Sequence, residues 1–272
     1  MNSKITFVPE GGLGNRMNAI AAAIRLAEDI HAQLEIIWFQ DWGMGCRFDD
    51  VFQSFNKENV SLRNAGFLDK ILYDRPRRKN FFVPKLFERM MFDKCISGVE
   101  SCYSDADFRS VCKDKKTWLS AYCYFLSKEV PDETFSIFKP VWKIQENINQ
   151  IAAKFPSRTI GIHIRRADNR MSIKESPTKL FIERMKQEDD NTHFYLATDS
   201  EEEKKVLKNI FGDRIITSVR KADRGTVSGI EDAVTDMFLL AKTNLIIGSY
   251  YSSFSETAAL VGGVELQIIK RK

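Results

Sequence analysis

The spacing of apolar and polar residues changes period along the chain, and each change marks an element. Ile5-Thr6-Phe7-Val8 reads as a short strand of β-branched and aromatic residues. Glu10-Gly11-Gly12-Leu13-Gly14 reads as a turn, and Asn15–Ile30 as a helix with Met17, Ile20, Ala21, Ile24 and Ala27 along one face. Leu34–Phe39 returns to a strand, which completes a βαβ opening. From Pro140 the alternation is regular. Val141–Lys154, Pro177–Gln187, Glu201–Ile210, Ile230–Lys242 and Phe254–Val261 have helical spacing. Thr159–Ile164, His193–Ala197, Ile215–Thr217, Leu245–Gly248 and Glu265–Ile269 read as strands between them.

Strands joined by helical crossovers of about ten residues must pair in parallel, with helices on both faces of the sheet. Residues 41–135 carry many aromatics but no clean period, and only two short helices, near Phe48–Phe55 and Lys85–Phe92, are expected there. The predicted class is α/β: two Rossmann-like halves whose parallel sheets face each other across a cleft. The boundary is expected between Pro131 and Pro140, giving units of residues 1–138 and 139–272.

Composition narrows the function. The chain has 272 residues, 43% hydrophobic and 29% charged, as in ordinary globular proteins. A net charge of +4 suits a phosphate or nucleotide ligand and does not call for nucleic acid, so no nucleic-acid partner is expected. No apolar run approaches the length of a membrane span, and Met1 leads directly into a strand without a basic and apolar leader. The five cysteines form no CxxC pair, so free thiols are expected, with a disulfide between two of them as the alternative. These readings together predict a cytoplasmic protein. The three histidines lack metal-ligand spacing, and Asp105-Ala106-Asp107 reads as a surface loop, so no metal is expected. Arg75-Pro76-Arg77-Arg78-Lys79 is a basic turn: a solvated loop, or a patch for an anionic acceptor or a peripheral membrane contact.

The candidate chemistry centres on Thr159-Ile160-Gly161-Ile162-His163-Ile164-Arg165-Arg166-Ala167-Asp168. Strand alternation puts His163 and Arg165 on one side, opposite Ile162, Ile164 and Arg166. Two arginines ending an apolar strand call for an anion at its carboxyl end, where α/β sheets bind ligands. The early glycine turn lacks a glycine at Met17 and so fails the dinucleotide fingerprint. It remains a plain turn or a place where backbone approaches a ligand at a helix start.

Further along, Ala197-Thr198-Asp199-Ser200 follows a strand, with Ser200 and Glu203 spaced as a capping box. Gly248-Ser249-Tyr250-Tyr251-Ser252-Ser253-Phe254-Ser255-Glu256 follows another, with Ser253 and Glu256 spaced in the same way. These hydroxyls and helix-start N–H groups serve as caps, or as caps that also hold a diphosphate. Asp232 and Asp236 share one helix face: solvated, or with one carboxylate accepting the paired N–H donors of guanine or ribose hydroxyls.

In this order, Gly11–Asn15, His163–Asp168 as an HxRRxD motif, Tyr195–Asp199, Asp236 and Ser252–Ser255 resemble the metal-independent fucosyltransferase superfamily. That group includes α1,2-, α1,6- and protein O-fucosyltransferases of GT-B architecture. The common form of the motif has glycine where this chain has Ala167. The resemblance implies GDP-fucose as donor, no cofactor, and inverting transfer to a hydroxyl of a glycan or glycolipid. It implies substrate contacts from Gly12, Gly14, Asn15, His163, Arg166, Asp168, Thr198, Asp199, Asp236, Ser252, Ser253 and Phe254. Charge growing on the leaving β-phosphate needs a fixed cation, and Arg165 is the candidate. Glu10, beside the glycine turn, is the first candidate for the base, ahead of Asp168 and Glu175. The alternatives are a GT-B transferase using another nucleotide sugar and a catalytically silent nucleotide-sugar-binding protein.

Overall fold

The computed structural model describes residues 3–41, 43–73, 82–126, 135–218, 220 and 222–271. The basic turn Arg75–Lys79 lies outside these residues. The chain divides into two compact units, one of Met1–Lys139 with Arg224–Val227, the other of Pro140–Asp223 with Ser228–Lys272.

In the first unit the order is β1 (Lys4–Pro9), α1 (Leu13–Asp29), β2 (Gln33–Trp38), α2 (Phe48–Val51), β3 (Val60–Asn64), α3 (Asp69–Leu72), α4 (Phe82–Met91), β4 (Lys94–Ile96), α5 (Gly98–Tyr103), α6 (Phe108–Cys112) and β5 (Lys116–Ala121). The five strands form one parallel sheet in the order β3-β2-β1-β5-β4. Helix α1 is buried on almost every side because alanines 19, 21, 22, 23 and 27 let it lie close to the sheet. Val8, Ile37, Phe39, Phe92 and Trp118 form a core cluster in this unit.

In the second unit the order is α7 (Trp142–Ala152), β6 (Thr159–Ile164), α8 (Arg170–Glu175), α9 (Thr178–Met185), β7 (His193–Thr198), α10 (Glu201–Phe211), β8 (Ile215–Thr217), α11 (Val227–Leu240), β9 (Leu245–Ser249), α12 (Ser253–Gly262) and β10 (Leu266–Ile269). Its parallel sheet has the order β10-β9-β6-β7-β8. Ile160, Ile162 and Ile164 of β6 sit in a core with Phe181 and Met185 of α9 and Leu207 and Phe211 of α10. The α/β class with two parallel sheets is as the sequence predicts.

The aromatic stretch before Pro131 holds three strands that its pattern does not announce. β3 alternates exposed and half-buried residues at a sheet edge, and β4 has three residues. Asp107 of the Asp105–Asp107 pair caps α6, accepting from the Arg109 N–H at 3.1 Å and the Ser110 hydroxyl at 2.6 Å. The expectation of free thiols is corrected at one pair. The Ser101 hydroxyl of α5 donates to the Ser120 carbonyl of β5 at 2.6 Å, and this packing brings Cys102 to Cys123. The two are joined by a disulfide with Cα atoms 6.0 Å apart, while Cys46, Cys95 and Cys112 are free.

Arg16 holds the first glycine turn. Its side chain is fully buried. Nε donates to the Gly11 carbonyl at 3.0 Å, one terminal nitrogen to the Phe39 carbonyl at 2.6 Å, and the other to Asp41 at 2.9 Å. The guanidinium lies over the Trp38 ring, 4.6 Å from its centre. Gly11 has φ of +85°, a conformation that favours glycine, and Arg16 reads its carbonyl directly. Arg16→Met leaves the Asp41 carboxylate and two carbonyls without this donor. It should cost about 3–5 kcal/mol. Urea unfolding checks this, and an unchanged midpoint and slope would contradict it.

Candidate functional site

In the second unit the chain runs from β6 outward to β7 and β8, then returns to the other side of β6 to lay down β9 and β10. The order therefore reverses between β6 and β9, and ligand crevices open at the carboxyl ends of strands at such a point. The two chain exits there are tied together. The Arg165 N–H donates to Ser249 Oγ at 3.1 Å, and that hydroxyl donates to the His163 carbonyl at 3.3 Å. Asn169 Nδ2 donates to the Tyr251 carbonyl at 2.7 Å, and the Tyr250 N–H donates to Ser176 Oγ at 2.8 Å. Gly248 lets α12 come this close, because a Cβ there would stand 2.6 Å from Ser255 Oγ.

The two arginines do different work. Arg166 Nε donates to Glu203 at 2.7 Å, and its terminal nitrogens reach the Arg165 carbonyl at 2.9 Å, the Ser176 carbonyl at 3.0 Å and Thr178 Oγ1 at 3.2 Å. Thr178 also donates to Glu203 at 2.6 Å. Arg166 is thus fixed to α9 and α10, on the sheet face where Ile162 and Ile164 pack. Glu203 is turned to Arg166, so the expected reciprocal capping box at Ser200 is only half formed. Ser200 Oγ accepts from the Glu203 N–H at 3.3 Å, and no return bond joins the Glu203 carboxylate to the Ser200 N–H.

Arg165 instead forks between two carboxylates, Asp199 and Asp168. Asp199 is nearly buried and also accepts the Arg166 N–H at 2.7 Å, whereas the Asp168 side chain is 54% exposed. One partner is fixed and the other stands at the surface. Thr198 contributes to the turn: its hydroxyl donates to the Ile164 carbonyl at 2.7 Å and accepts the Ser200 N–H at 3.2 Å.

His163 is buried and stacks on Phe254, with ring centres 4.9 Å apart. Burial, with the charges of Arg165 and Arg166 nearby, pushes its pKa down to about 3, so the ring is neutral. Its buried Nδ1 has no hydrogen-bond partner among the described residues. Helix α12 begins at Ser253, with Ser252 in extended conformation as N-cap and no side-chain cap bond. The expected Ser253–Glu256 capping box is therefore corrected: Ser253 is already helical, and a box must be built on the non-helical residue before it. The Ser252 hydroxyl makes no cap bond to the first turn of this ten-residue helix, which begins beside His163 and carries Phe254.

Asp236 of α11 accepts a hydrogen bond from the Tyr195 hydroxyl of β7 at 2.6 Å. Burial pushes its pKa up to about 6, against the opposing effect of that bond. Asp232 pairs with Arg220 at 2.8 Å, and its charge adds to the upward push on Asp236. In the first unit Glu10 follows β1, and its N–H donates to the Ala121 carbonyl at 2.8 Å, where the order of that sheet reverses between β1 and β5. Its carboxylate lies against Gly98, where a Cβ would come within 2.9 Å of Oε1. Gly12 is the N-cap of α1, Gly14 is buried inside the helix, and the Asn15 side chain covers Gly11. Glu175, the other base candidate, ends α8 with Lys174 at 3.8 Å. Among the described residues no cluster of three His, Cys, Asp or Glu side chains has the makings of a metal site.

No family model and no curated protein sequence matches the chain. Solved structures do. The NodZ fucosyltransferase from Bradyrhizobium superposes with a TM-score of 0.66 at 18% identity, over 96% of this chain and 94% of that one. NodZ α-1,6-fucosyltransferase soaked with GDP-fucose gives 0.66 at 17%, over 96% and 93%. A variant of Arabidopsis thaliana FUT1 in complex with GDP gives 0.65 at 14%, over 98% and 70%, and POFUT1 in complex with GDP-fucose gives 0.55 at 11%, over 98% of both. This chain has the fold of these fucosyltransferases. The α/β class is what the strand and helix pattern predicts, and the likeness to GT-B fucosyltransferases is what the motif resemblance implies.

Several supporting residues escape the sequence pattern. Glu203 and Thr178 hold Arg166, Ser249 joins β6 to β9, and Tyr195 holds Asp236. The one local signal is a polar residue at an inward strand position, which Tyr195 and Ser249 both occupy. The raised pKa of Asp236 makes a checkable statement. Between about pH 4 and pH 6 the native state holds a proton there that the unfolded chain has released. The wild type should lose stability as pH rises through that window, and Asp236→Asn should not. Urea unfolding from pH 4 to pH 8 should show the variant gaining on the wild type up to about pH 6 and level beyond it. A difference independent of pH would contradict the assignment.

Proposed function

We propose that the chain is a fucosyltransferase that takes fucose from GDP-fucose and passes it, with inversion and without a metal, to a hydroxyl of a glycan or glycolipid. The observation that carries this reading is the fork of Arg165 between a fixed and an exposed carboxylate at the switch point of a parallel sheet. An arriving diphosphate takes the place of Asp168 on the guanidinium, while Asp199 keeps the side chain in position. The fold neighbours soaked with or bound to GDP-fucose and GDP support the choice of donor.

In this reading the second unit binds the donor. Asp236, beside Tyr195, accepts the N1–H and N2–H of guanine. His163, Phe254, Ser252, Ser253 and the first turn of α12 receive the diphosphate. As the sugar–phosphate bond breaks, negative charge grows on the β-phosphate and Arg165 offsets it. The first unit supplies the acceptor side, with Gly12, Gly14 and Asn15 at its glycine turn. Glu10 takes the proton from the acceptor hydroxyl as its oxygen bonds to the anomeric carbon. GDP and the fucosylated acceptor leave.

Calorimetric titration with GDP, UDP and ADP in excess chelator tests the donor and the metal together. GDP should bind and the others should bind more weakly. Loss of GDP binding in chelator, or equal affinity for UDP, would contradict the reading. Transfer from GDP-fucose onto arrayed glycans tests the residues. Arg165→Ala leaves the nearly buried Asp199 with the Arg166 N–H alone, so some stability is lost too, and on the folded fraction measured by urea unfolding it should lose about 10²–10³ in rate. Arg166→Ala should lose chiefly stability, because it leaves the nearly buried Glu203 carboxylate unpaired. Glu10→Gln should keep GDP affinity and lose roughly 10²–10⁴ in turnover. Near-normal turnover of Glu10→Gln with loss in Asp168→Asn would move the base to Asp168.

A further inference from the structure

Two packed helices of the first unit, α3 and α4, turn large apolar side chains to solvent. Phe67 and Leu68, at the start of α3, are 77% and 66% exposed, and Leu86 and Met90 of α4 are 62% and 76% exposed. Ile71 and Met91 add to the same two helices. This exposure is not failed packing. Tyr73, just after α3, stacks edge-on against Phe87 of α4 at 5.6 Å and lies near Phe92, so each helix has a separate inner side.

The charges on these helices are sorted by sign. Lys85 and Arg89 are exposed and one turn apart, next to Leu86 and Met90. Glu88 is the acid of α4, and it is buried. Asp69 is the acid of α3. It is buried too, held by both terminal nitrogens of Arg63 at 2.6 and 2.9 Å and by the Gly66 N–H at 2.7 Å. Both carboxylates are thus withdrawn from the outer face, and the apolar side chains there are accompanied by cations. In sequence, the chain between the two helices adds Arg75, Arg77, Arg78 and Lys79 against a single Asp74.

We infer that the outer face of α3 and α4 docks on an anionic membrane surface, with Leu86, Met90, Phe67 and Leu68 entering the headgroup region and Lys85 and Arg89 meeting lipid phosphates. Apolar anchors combined with adjacent cations are the two contributions that hold a peripheral protein on such a surface. A second copy of this chain is the poorer occupant. A two-fold contact would set Lys85 and Arg89 of one face against the same cations of the other. The inference stands independently of the donor reading, because none of these residues belongs to the proposed donor site.

The test is co-sedimentation of the full chain with vesicles of phosphatidylcholine containing phosphatidylglycerol, and with phosphatidylcholine alone. The wild type should sediment with the anionic vesicles only, and less as salt rises. The double variant Leu86→Glu/Met90→Glu should lose this binding, and Lys85→Glu/Arg89→Glu should weaken it by roughly 10-fold or more. Both pairs are exposed, so both variants should keep the wild-type urea unfolding midpoint, which serves as the folding control. Absence of binding to anionic vesicles, or equal binding by wild type and both variants, would overturn the inference. So would a dimer in light scattering that Leu86→Glu/Met90→Glu abolishes while no vesicle binding is seen.

Discussion

A guanidinium at the carboxyl end of a buried parallel strand cannot stand alone. It must be matched by carboxylates, and how exposed those carboxylates are decides what the arginine is for. Arg165 is matched twice: by Asp199, nearly buried and also bonded to the Arg166 N–H, and by Asp168, which is more than half exposed. The fixed partner positions the cation, and the exposed one can exchange for another anion at low cost, since exposed ion pairs contribute little. The Ser249 bridge holds the backbone at Arg165, and the turn built by Thr198 holds it at Ile164 just before.

Two other arginines show the contrast. Each guanidinium nitrogen of Arg16 donates, to the Gly11 carbonyl, the Phe39 carbonyl and Asp41, beneath complete burial. Arg166 is fixed by Glu203, Thr178 and two carbonyls. The carboxylates paired with them, Asp41 and Glu203, are both nearly buried. The two arginines shape the first turn and anchor the second sheet to its helices, and removing either leaves a carboxylate with little solvent access. The same residue type is thus closed off by nearly buried acids in two places and keeps one exposed acid in the third.

Much of the second unit is legible in the sequence because its strands are buried on both faces and its helices have one clear apolar side. Thr159–Ile164 reads as a strand, and alternation correctly sends Arg166 to the face of Ile162 and Ile164. The first unit beyond β2 is much less legible. Its strands β3 and β4 lie at the two edges, β4 with only three residues, and its aromatics pack through local clusters such as Phe48 with Trp38 and Phe52 rather than through a period. The Cys102–Cys123 pair depends on how α5 meets β5, which spacing alone does not contain. Capping is misread at Ser253 because Ser252, Ser253 and Ser255 all suit a helix start by composition, and backbone conformation decides among them.

The central claim is that the exchangeable arm of Arg165 receives the terminal phosphate of a guanine nucleotide. The most direct measurement compares GDP with GMP affinity in the wild type and in Arg165→Ala. A charge-assisted hydrogen bond contributes about 1.5–3 kcal/mol, so the wild type should prefer GDP by roughly 10- to 100-fold. The variant should bind GMP as the wild type does and lose the preference for GDP. A preference that survives in Arg165→Ala would contradict the account and place the phosphate elsewhere.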